Sequence, residues 1–480
     1  MSSAWARWAA WLAAPLMLAA MMAIYGVAHD TYYMGDFRAF YCAGRAIAHH
    51  ANPYLEEPLR SCEAAAGPPY EPAFLKPVAL PAPLPPYALL AFVPFAMLPF
   101  WLAAAVFALA SLGAMVLAVV VLQRVTGVST VLLNVSLAAI TGTVTWYVGQ
   151  PMPFVFAALA GAAMCARRGK WTAAALCAAA AAVEPHVALP AIVGIMVVSA
   201  RARLTLVLCG LFFALASVAG VGFPVAVSYV RDVLPAHALA NAYEWQFSLT
   251  SILTSLGVGA PGAIRAGEIM FAAMTALGIF VAYRLRARSG DAALIVLVPP
   301  AFAVFGGVHV HFQQIAVAFP AILYAIVRYP RVRALAASGL VFAMIPWNVL
   351  GSTLLSGCAP LVAGIAGALT LGRRGGLLVA AGAAVIVLSL LGLALIGFGP
   401  APVHFVAGNY PAGALAEVSW GDFSHTALMR PSLMMHWLRL PTMVGLACAL
   451  AALVRVAFDG AVLPQRAPLA APEIAPAAAR

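Results

Sequence analysis

The sequence predicts an all-α polytopic membrane protein. Two properties of the 480-residue chain predict this class: hydrophobic residues make up 64% of it and charged residues only 9%. A soluble domain carries roughly 25% charged residues, so this chain has too few to cover a water-exposed surface. The composition therefore excludes a soluble enzyme, a nucleic-acid-binding protein and a secreted disulfide scaffold.

Apolar runs separated by short basic clusters predict the individual helices. A membrane-spanning helix needs about 20 apolar residues. The first run, 8–27, is too long for a signal-peptide core of about 7–15 residues and predicts a retained anchor. Later runs include 100–122, 204–223 and 264–283, whereas several others are short or contain proline, which is tolerated where a helix lines a cavity. We expect about 11–14 membrane helices.

The positive charges assign the orientation. With a cytoplasmic N-terminus, the cytoplasmic segments hold 18 of the 26 Lys and Arg residues, as the positive-inside rule requires. All ten histidines then lie on or near the outer face. Because titratable groups at a membrane face are costly to bury and are usually functional, we expect the chemistry to face outward.

The predicted domain organisation is simple. Residues 1–456 form one transmembrane domain, whose large outer loops cover about residues 28–99, 224–262 and 399–441. The tail, 457–480, is rich in Pro and Ala and predicts a disordered cytoplasmic end. Cys42 and Cys62 share the first outer loop, where a disulfide is one possibility and two free thiols are the other.

The first outer loop carries the strongest functional signal, in the segment MGDFRAFYCAGRAIAHHANPY. Apolar residues at helical spacing over 37–47 predict an amphipathic helix that lies in the membrane interface. Asp36 has two interpretations. It is either the N-cap of this helix, worth about 1 kcal/mol, or an ionised general base just beyond the outer end of the first span.

This segment is similar to the opening motif of glycosyltransferase family 87, in which an outward aspartate precedes an aromatic-rich helix and a Pro-Tyr turn. Five further segments of this chain resemble motifs of the family and occur in the same order, so the resemblance covers roughly residues 1–330. They are PPYALLAFVPFAMLP, Gly149-Gln150, AAAAAVEPH, the polar segment 245–249 and VHVHFQQIAVAFPAIL.

The resemblance implies a GT-C-like bundle and an inverting glycosyltransferase with Asp36 as its base. The implied donor is a hexose, of the mannose type, on a polyprenyl phosphate, and the implied acceptor is a lipid or glycan of the cell envelope. The implied partners are these substrates and membrane lipids, without nucleic acid. We expect a multi-pass protein of the plasma (inner) membrane with both termini in the cytoplasm and the active site outside.

Polar side chains at the outer face are candidates for contacts with the donor phosphate and the substrates. They are Arg38, Lys76, Gln150, Glu184, His186, His309 and His311. Glu184 stands where the family usually has a lysine, so a phosphate contact does not carry over to it directly. It either pairs with a cation such as His186 or Arg231 or lies in a polar cavity.

The remaining candidates have structural alternatives. His309 and His311 are either phosphate ligands or an interfacial pair bonded to loop carbonyls, and Gln150 is either functional or a helix cap. Tyr54, Trp245 and Trp420 are more typical of the interfacial aromatic belt than of sugar platforms. Glu56 and Glu57, beside a proline, are typical of a solvated turn. No cofactor or metal is expected, because fixed cations can stabilise the leaving phosphate.

A secondary transporter or a lipid-linked-sugar flippase is the alternative function. Transporters usually place charged residues near the bilayer midplane and often contain internal repeats. Here the polar residues cluster on one face and no repeat is evident, which favours an enzyme.

Overall fold

The structure is a computed structural model that describes residues 34–66, 79–137, 148–242, 244, 246–344, 365, 413–423 and 433–459. Every regular element in these ranges is a helix, and their one β-type pairing is an isolated bridge between Leu55 and Leu415. The all-α fold class is confirmed. The predicted anchor, 8–27, and the tail after residue 459 lie outside the described residues.

The helices are numbered here in chain order. They are α1 (Gly35–Ala48), α2 (Glu56–Ala66), α3 (Pro86–Ala96), α4 (Phe100–Thr126), α5 (Thr130–Leu137), α6 (Met152–Arg167), α7 (Trp171–Val183), α8 (Pro185–Val198), α9 (Ala200–Val221), α10 (Phe223–Ser228), α11 (Leu234–Ala242), α12 (Leu249–Ser255), α13 (Ala260–Ser289), α14 (Leu294–Gly306), α15 (Phe312–Arg328), α16 (Pro330–Met344), α17 (Ala416–Phe423) and α18 (Leu433–Phe458). A π-helical turn, Tyr229–Val233, connects α10 to α11.

Within the described ranges, four helices are long and apolar enough to cross a membrane: α4, α9, α13 and the Arg439–Phe458 part of α18. Helices α15 and α16 make a fifth candidate span, bent by 117° at its break. Five shorter apolar helices, α3, α6, α7, α8 and α14, accompany them. This architecture is that of a polytopic helical membrane protein, and the number of spans in the whole chain stays a prediction.

The long helices expose apolar side chains where lipid would surround them. Leu109 of α4 and Phe212 of α9 are 69% and 66% exposed. An apolar surface of this kind is unfavourable in water and favourable in hydrocarbon. The opposite faces pack into a core of small and branched residues from α4, α6, α8, α14 and α15.

Helix α1 is present, but protein covers it on most sides. Eleven of its 14 residues are buried, and Arg45 is exposed. Phe37 stacks on Phe107 of α4 with ring centroids 4.5 Å apart. A helix in the membrane interface would keep a polar face in water, whereas α2 covers this one through a disulfide between Cys42 and Cys62. The first outer loop is therefore a folded unit with its own aromatic core.

Helices α16 and α18 cross at two glycines. A Cβ atom on Gly339 would lie 2.6 Å from the carbonyl oxygen of Gly445, and a Cβ on Gly445 would lie 2.7 Å from that of Gly339. Small residues let helix backbones approach closely in membranes, where van der Waals packing drives association. Both carbonyl oxygens belong to the helix backbone, so neither can move aside to make room for a side chain.

We expect Gly445→Ala to destabilise the protein by about 1–3 kcal/mol, because the added methyl group overpacks this crossing. The measurement is thermal unfolding of the purified protein in detergent. Gly113→Ala in α4 is the matched control, since a Cβ there meets nothing within 4 Å. Equal melting temperatures for the two variants would contradict the close crossing.

Candidate active site

An open cavity of about 400 Å³ lies on the side of the bundle that carries the outer loops. Six of the eight predicted site residues line it, although they come from four separate parts of the chain. These six are Asp36, Gln150, Glu184, His186, His309 and His311. The fold therefore brings the scattered polar motifs together.

Asp36 is the second residue of α1, and its carboxylate does not cap the helix. The N-cap is Met34, in the left-handed conformation at φ 57°, and it makes no side-chain cap bond. Instead, the Asp36 Oδ2 atom accepts a hydrogen bond from the side-chain amide of Gln150. The positive end of the helix dipole favours a carboxylate in the first turn.

Gly149 permits this contact. Its φ of +79° is unfavourable for a residue with a side chain. A Cβ there would also lie 2.5 Å from the Cβ of Phe37 and 2.9 Å from the sulfur of Met34. The backbone before α6 thus packs directly against the start of α1, and the next residue, Gln150, reaches Asp36.

Glu184 lies at the break between α7 and α8 and is only 6% exposed. One of its predicted environments is present, because it lines the polar cavity. Its Oε2 atom lies 3.8 Å from Nδ1 of His186, but burial lowers the pKa of His186 to about 4, so this ring is not a cation at neutral pH. Arg231, the other predicted partner, instead forms an exposed pair with Asp232 at 2.9 Å.

His309 and His311 flank Val310 in the loop before α15, and both line the cavity. The backbone of Val310 is held at both ends: its N–H donates to the Gln246 side chain and its carbonyl accepts from the N–H of Phe247, each at 2.9 Å. The His309 ring lies 4.5 Å from that of His186. The polar segment 246–248 therefore supports the histidine loop.

Burial makes His309 and His311 poor cations. Desolvation and the neighbouring imidazoles lower the pKa of His309 well below its ordinary value, and desolvation lowers the pKa of His311 to about 4. At neutral pH both rings are uncharged and can offer one donor and one acceptor each.

One wall of the cavity is the proline-rich segment 79–85. Proline has no N–H, and side chains satisfy the other backbone groups of this wall. Glu56 accepts from the N–H of Ala79 at 3.2 Å, and Glu63 accepts from that of Leu80 at 2.9 Å. The hydroxyl groups of two tyrosines donate to wall carbonyls, Tyr54 to Leu84 at 2.9 Å and Tyr229 to Pro83 at 3.1 Å.

These contacts correct two expectations. Glu56 is fully buried, and only Glu57, which pairs with Arg60 at 2.8 Å, resembles a solvated turn residue. Tyr54 is 2% exposed and packs inside the loop core, so it belongs to neither the aromatic belt nor a sugar platform. The sequence gives no local sign of either burial, because the partners are distant in the chain.

Two predicted phosphate contacts are not part of the cavity as described. Arg38 is 2% exposed, and its guanidinium lies 5.5 Å from the ring centroid of Phe100. Lys76 lies outside the described residues, as does Trp245. The described lining contains neither lysine nor arginine.

Further groups at the cavity were not predicted as site residues. The His237 ring of α11 lines it, and Nδ1 of this ring lies 3.0 Å from Oε2 of Glu417 on α17, which does not itself belong to the described lining. Trp420, also on α17, lines the cavity and donates its indole N–H to Glu244. The one sequence signal of His237 and Glu417 is their position in the second and third large outer loops. Trp420 was expected in the interfacial aromatic belt, and the structure places it in the cavity lining instead.

The His237 ring differs in charge from the other loop histidines. Burial lowers its pKa, but the carboxylates of Glu417, Glu244 and Glu184 outweigh burial, and the net shift is upward. His237 is therefore the loop imidazole in the described lining that most readily carries a proton.

A second cavity of about 470 Å³ adjoins the first and is mostly apolar. Helices α11, α13 and α14 supply its walls, including Phe271 and Val304. The two cavities share a wall of five residues: His186, Leu234, His237, His309 and Gln314. A polar compartment and an apolar compartment thus meet at a line of imidazoles.

The described residues contain no group of three or more His, Cys, Asp or Glu side chains placed to hold a metal ion. The expectation that the reaction needs no metal stays a prediction.

Comparison with known families agrees with this geometry. Residues 84–306 match the family model of Glycosyltransferase family 87, a range that covers Gln150, the junction of α7 and α8, and helices α11 to α14. No curated protein and no solved structure matches the chain.

We expect Gly149→Ala to destabilise the protein by more than the roughly 1–2 kcal/mol that a left-handed conformation costs, because the methyl group also meets α1. Gly169→Ala is the matched control, with a similar φ of +72° and open space around its Cβ. Thermal unfolding measures both. If the two variants lose the same stability, the packing of Gly149 against α1 is disproved.

Proposed function

Because this chain belongs to glycosyltransferase family 87 and is a membrane glycosyltransferase, we propose that it transfers a hexose from a polyprenyl phosphate to a lipid or glycan acceptor. The reaction takes place on the outer face of the plasma (inner) membrane, with both termini in the cytoplasm, and it inverts the configuration of the sugar. Family membership favours this function over the secondary transporter or flippase.

The pair of adjoining cavities carries the proposal. A polyprenyl-phosphate sugar has an apolar tail, one phosphodiester and a polar head. The apolar cavity matches the first isoprene units, the polar cavity matches the sugar, and the phosphate falls at the wall that both cavities share. Pockets of about 300–1,000 Å³ are typical of small-molecule sites, so most of a long tail would extend into lipid.

The shared wall offers suitable groups to a phosphate. Nε2 of His186 and Nδ1 of His309 are buried and have no hydrogen-bond partner in the described part of the chain. A buried polar atom without a partner costs about 1–3 kcal/mol. A phosphate oxygen at this wall would relieve that cost.

Asp36 is the general base of the proposed reaction. Its carboxylate takes the proton of the acceptor hydroxyl while that oxygen forms a bond to the anomeric carbon. The bond from this carbon to the phosphate oxygen breaks on the opposite face, and the electron pair stays on the phosphate. Gln150 holds the carboxylate in place, which keeps one oxygen pointing into the cavity.

Glu184 suits the hydroxyl groups of a sugar or an acceptor. Burial raises the pKa of its carboxyl group to about 8, and in either protonation state the group can accept hydrogen bonds from hydroxyls. We therefore assign Glu184 to the hydroxyl side of the cavity. Trp420 and Glu244 lie in the same cavity and suit the face and the hydroxyl groups of a sugar ring.

The activity test uses purified protein in lipid nanodiscs with a panel of polyprenyl-phosphate sugars, beginning with mannose, and candidate lipid and glycan acceptors. Asp36→Asn keeps the size of the side chain but removes the base. We expect it to lower the rate of transfer by about 10²–10⁴-fold, with the melting temperature unchanged.

Asp232→Asn is the matched control, because Asp232 is an outer acid paired with Arg231 at the surface. It should transfer sugar at the wild-type rate. Transfer at a near-wild-type rate by Asp36→Asn would refute Asp36 as the base. Transfer by the wild type only from nucleotide sugars would refute the donor class.

A further inference from the structure

We propose that the His237 ring binds the donor phosphate as a cation, with the buried Glu417 carboxylate as the counter-charge that holds the proton on the ring. The inference rests on the proposed function, since it assumes a lipid phosphodiester as donor. The charged His237 ring would supply the positive charge that the described lining otherwise lacks, because no lysine or arginine side chain lines the polar cavity there.

His237 lies at the right place. Its side chain belongs to the wall shared by the polar and apolar cavities. The His309 ring stands edge-on to it, with centroids 5.2 Å apart. A phosphate that touches the free nitrogens of His186 and His309 is therefore also beside the His237 ring.

Glu417 is positioned by the backbone before it reaches His237. Residues 414–416 pair with residues 54–56: the N–H of Glu56 donates to Ala414 O at 2.8 Å, and the N–H of Ala416 donates to Tyr54 O at 3.0 Å. Helix α17 then places the Glu417 carboxylate, which is 2% exposed, against Nδ1 of the ring. A buried carboxylate strongly favours a charged partner.

Hydrogen bonds also hold the backbone of His237. The Asn241 side-chain amide donates to the carbonyl of His237 at 2.8 Å. Gln246 donates to the carbonyl of Asn241 and accepts from the N–H of Val310. Hydrogen bonds through Asn241 and Gln246 therefore connect the backbone of His237 to the loop of His309 and His311.

The charged groups around His237 are mostly acidic. Helix α17 contributes Glu417, the end of α11 leads to Glu244, and the break before α8 contributes Glu184. The first half of α13 and the π-helical turn contribute only the exposed ion pairs Arg265–Glu268 and Arg231–Asp232, and Arg284, Arg286 and Arg288 lie at the opposite end of α13. Helix α12 carries no titratable group, and burial lowers the pKa of all three facing histidines, His186, His309 and His311.

These surroundings set the direction of the pH dependence. The pKa of His237 is raised, so its ring is charged below that pKa and loses its proton as the pH rises through it. Phosphate binding should therefore weaken on the alkaline side. Removing the charge of Glu417 leaves burial to lower the pKa of His237, and the loss should then occur at a lower pH.

The experiment measures equilibrium binding of farnesyl methyl phosphate to the full-length protein as a function of pH. This probe is a lipid phosphodiester with one negative charge at every pH used, and it carries no sugar. We expect Glu417→Gln to shift the alkaline loss of binding to lower pH and to weaken binding at neutral pH by about tenfold, the equivalent of one pKa unit. His237→Asn should weaken binding and abolish its alkaline dependence.

Glu57→Gln is the matched control, because Glu57 pairs with Arg60 and lines neither cavity; it should keep the wild-type pH profile. A wild-type profile in Glu417→Gln, with unchanged affinity, would overturn the inference while leaving the proposed donor class intact. Failure of the wild type to bind the probe at any pH would overturn both. Glu417→Gln keeps the shape of the side chain, so it tests the inference even if His237→Asn does not fold.

Discussion

The buried carboxylate of Glu56 connects the parts of the outer side on which the candidate site depends. It accepts a hydrogen bond from the N–H of Ala79, where the proline-rich wall begins, and another from the hydroxyl of Ser419 on α17. Arg60 lies 3.8 Å away and balances its charge. Breaking the contacts of a buried charge costs about 3–5 kcal/mol, so this one side chain fixes the wall and the helix that carries Glu417 and Trp420 relative to α2.

For the lipid-linked donor that we propose, the balance of forces explains why one charge on the protein matters. The tail of such a donor leaves lipid, not water, when it enters the apolar cavity, so the hydrophobic effect contributes little and packing must hold it. The affinity then depends on the phosphate and the sugar. In a cavity whose described lining holds the acids Asp36, Glu184 and Glu244, an anionic phosphate needs a cation close by. A histidine charged by its own buried carboxylate provides one without a long, mobile lysine or arginine side chain.

Local sequence patterns predicted the helices well where an apolar run is long. The run 100–122 corresponds to α4, 204–223 to α9 and 264–283 to α13, each with ends displaced by a few residues. The ends differ because Arg124, Arg201 and Arg284 lie within the helices, where long side chains can extend to the membrane surface. Hydrophobicity alone does not predict that these arginines belong to the helices.

The residues of the site were predicted from the order of family-like motifs along the chain, not from local hydrophobicity or charge. Asp36, Gln150 and the histidine loop were expected at one face, and they meet in one cavity. The pair of His237 and Glu417 was not predicted, because its members are 180 residues apart and neither stands in a motif. Glu56 was predicted to be a solvated turn residue for the same reason, since its partner Ser419 lies 363 residues away in the chain.

Photo-crosslinking is the most direct measurement of how the donor lies across the two cavities. A polyprenyl-phosphate mannose with a diazirine on its first isoprene unit is bound to the protein in nanodiscs, irradiated, and the labelled peptides are sequenced. Labels on the walls of the apolar cavity, at Phe271 of α13 and Val304 of α14, are expected, and unlabelled donor should compete them away. Labels confined to the lipid-exposed face of α9, around Leu211 and Phe212, would contradict a donor that crosses the histidine wall.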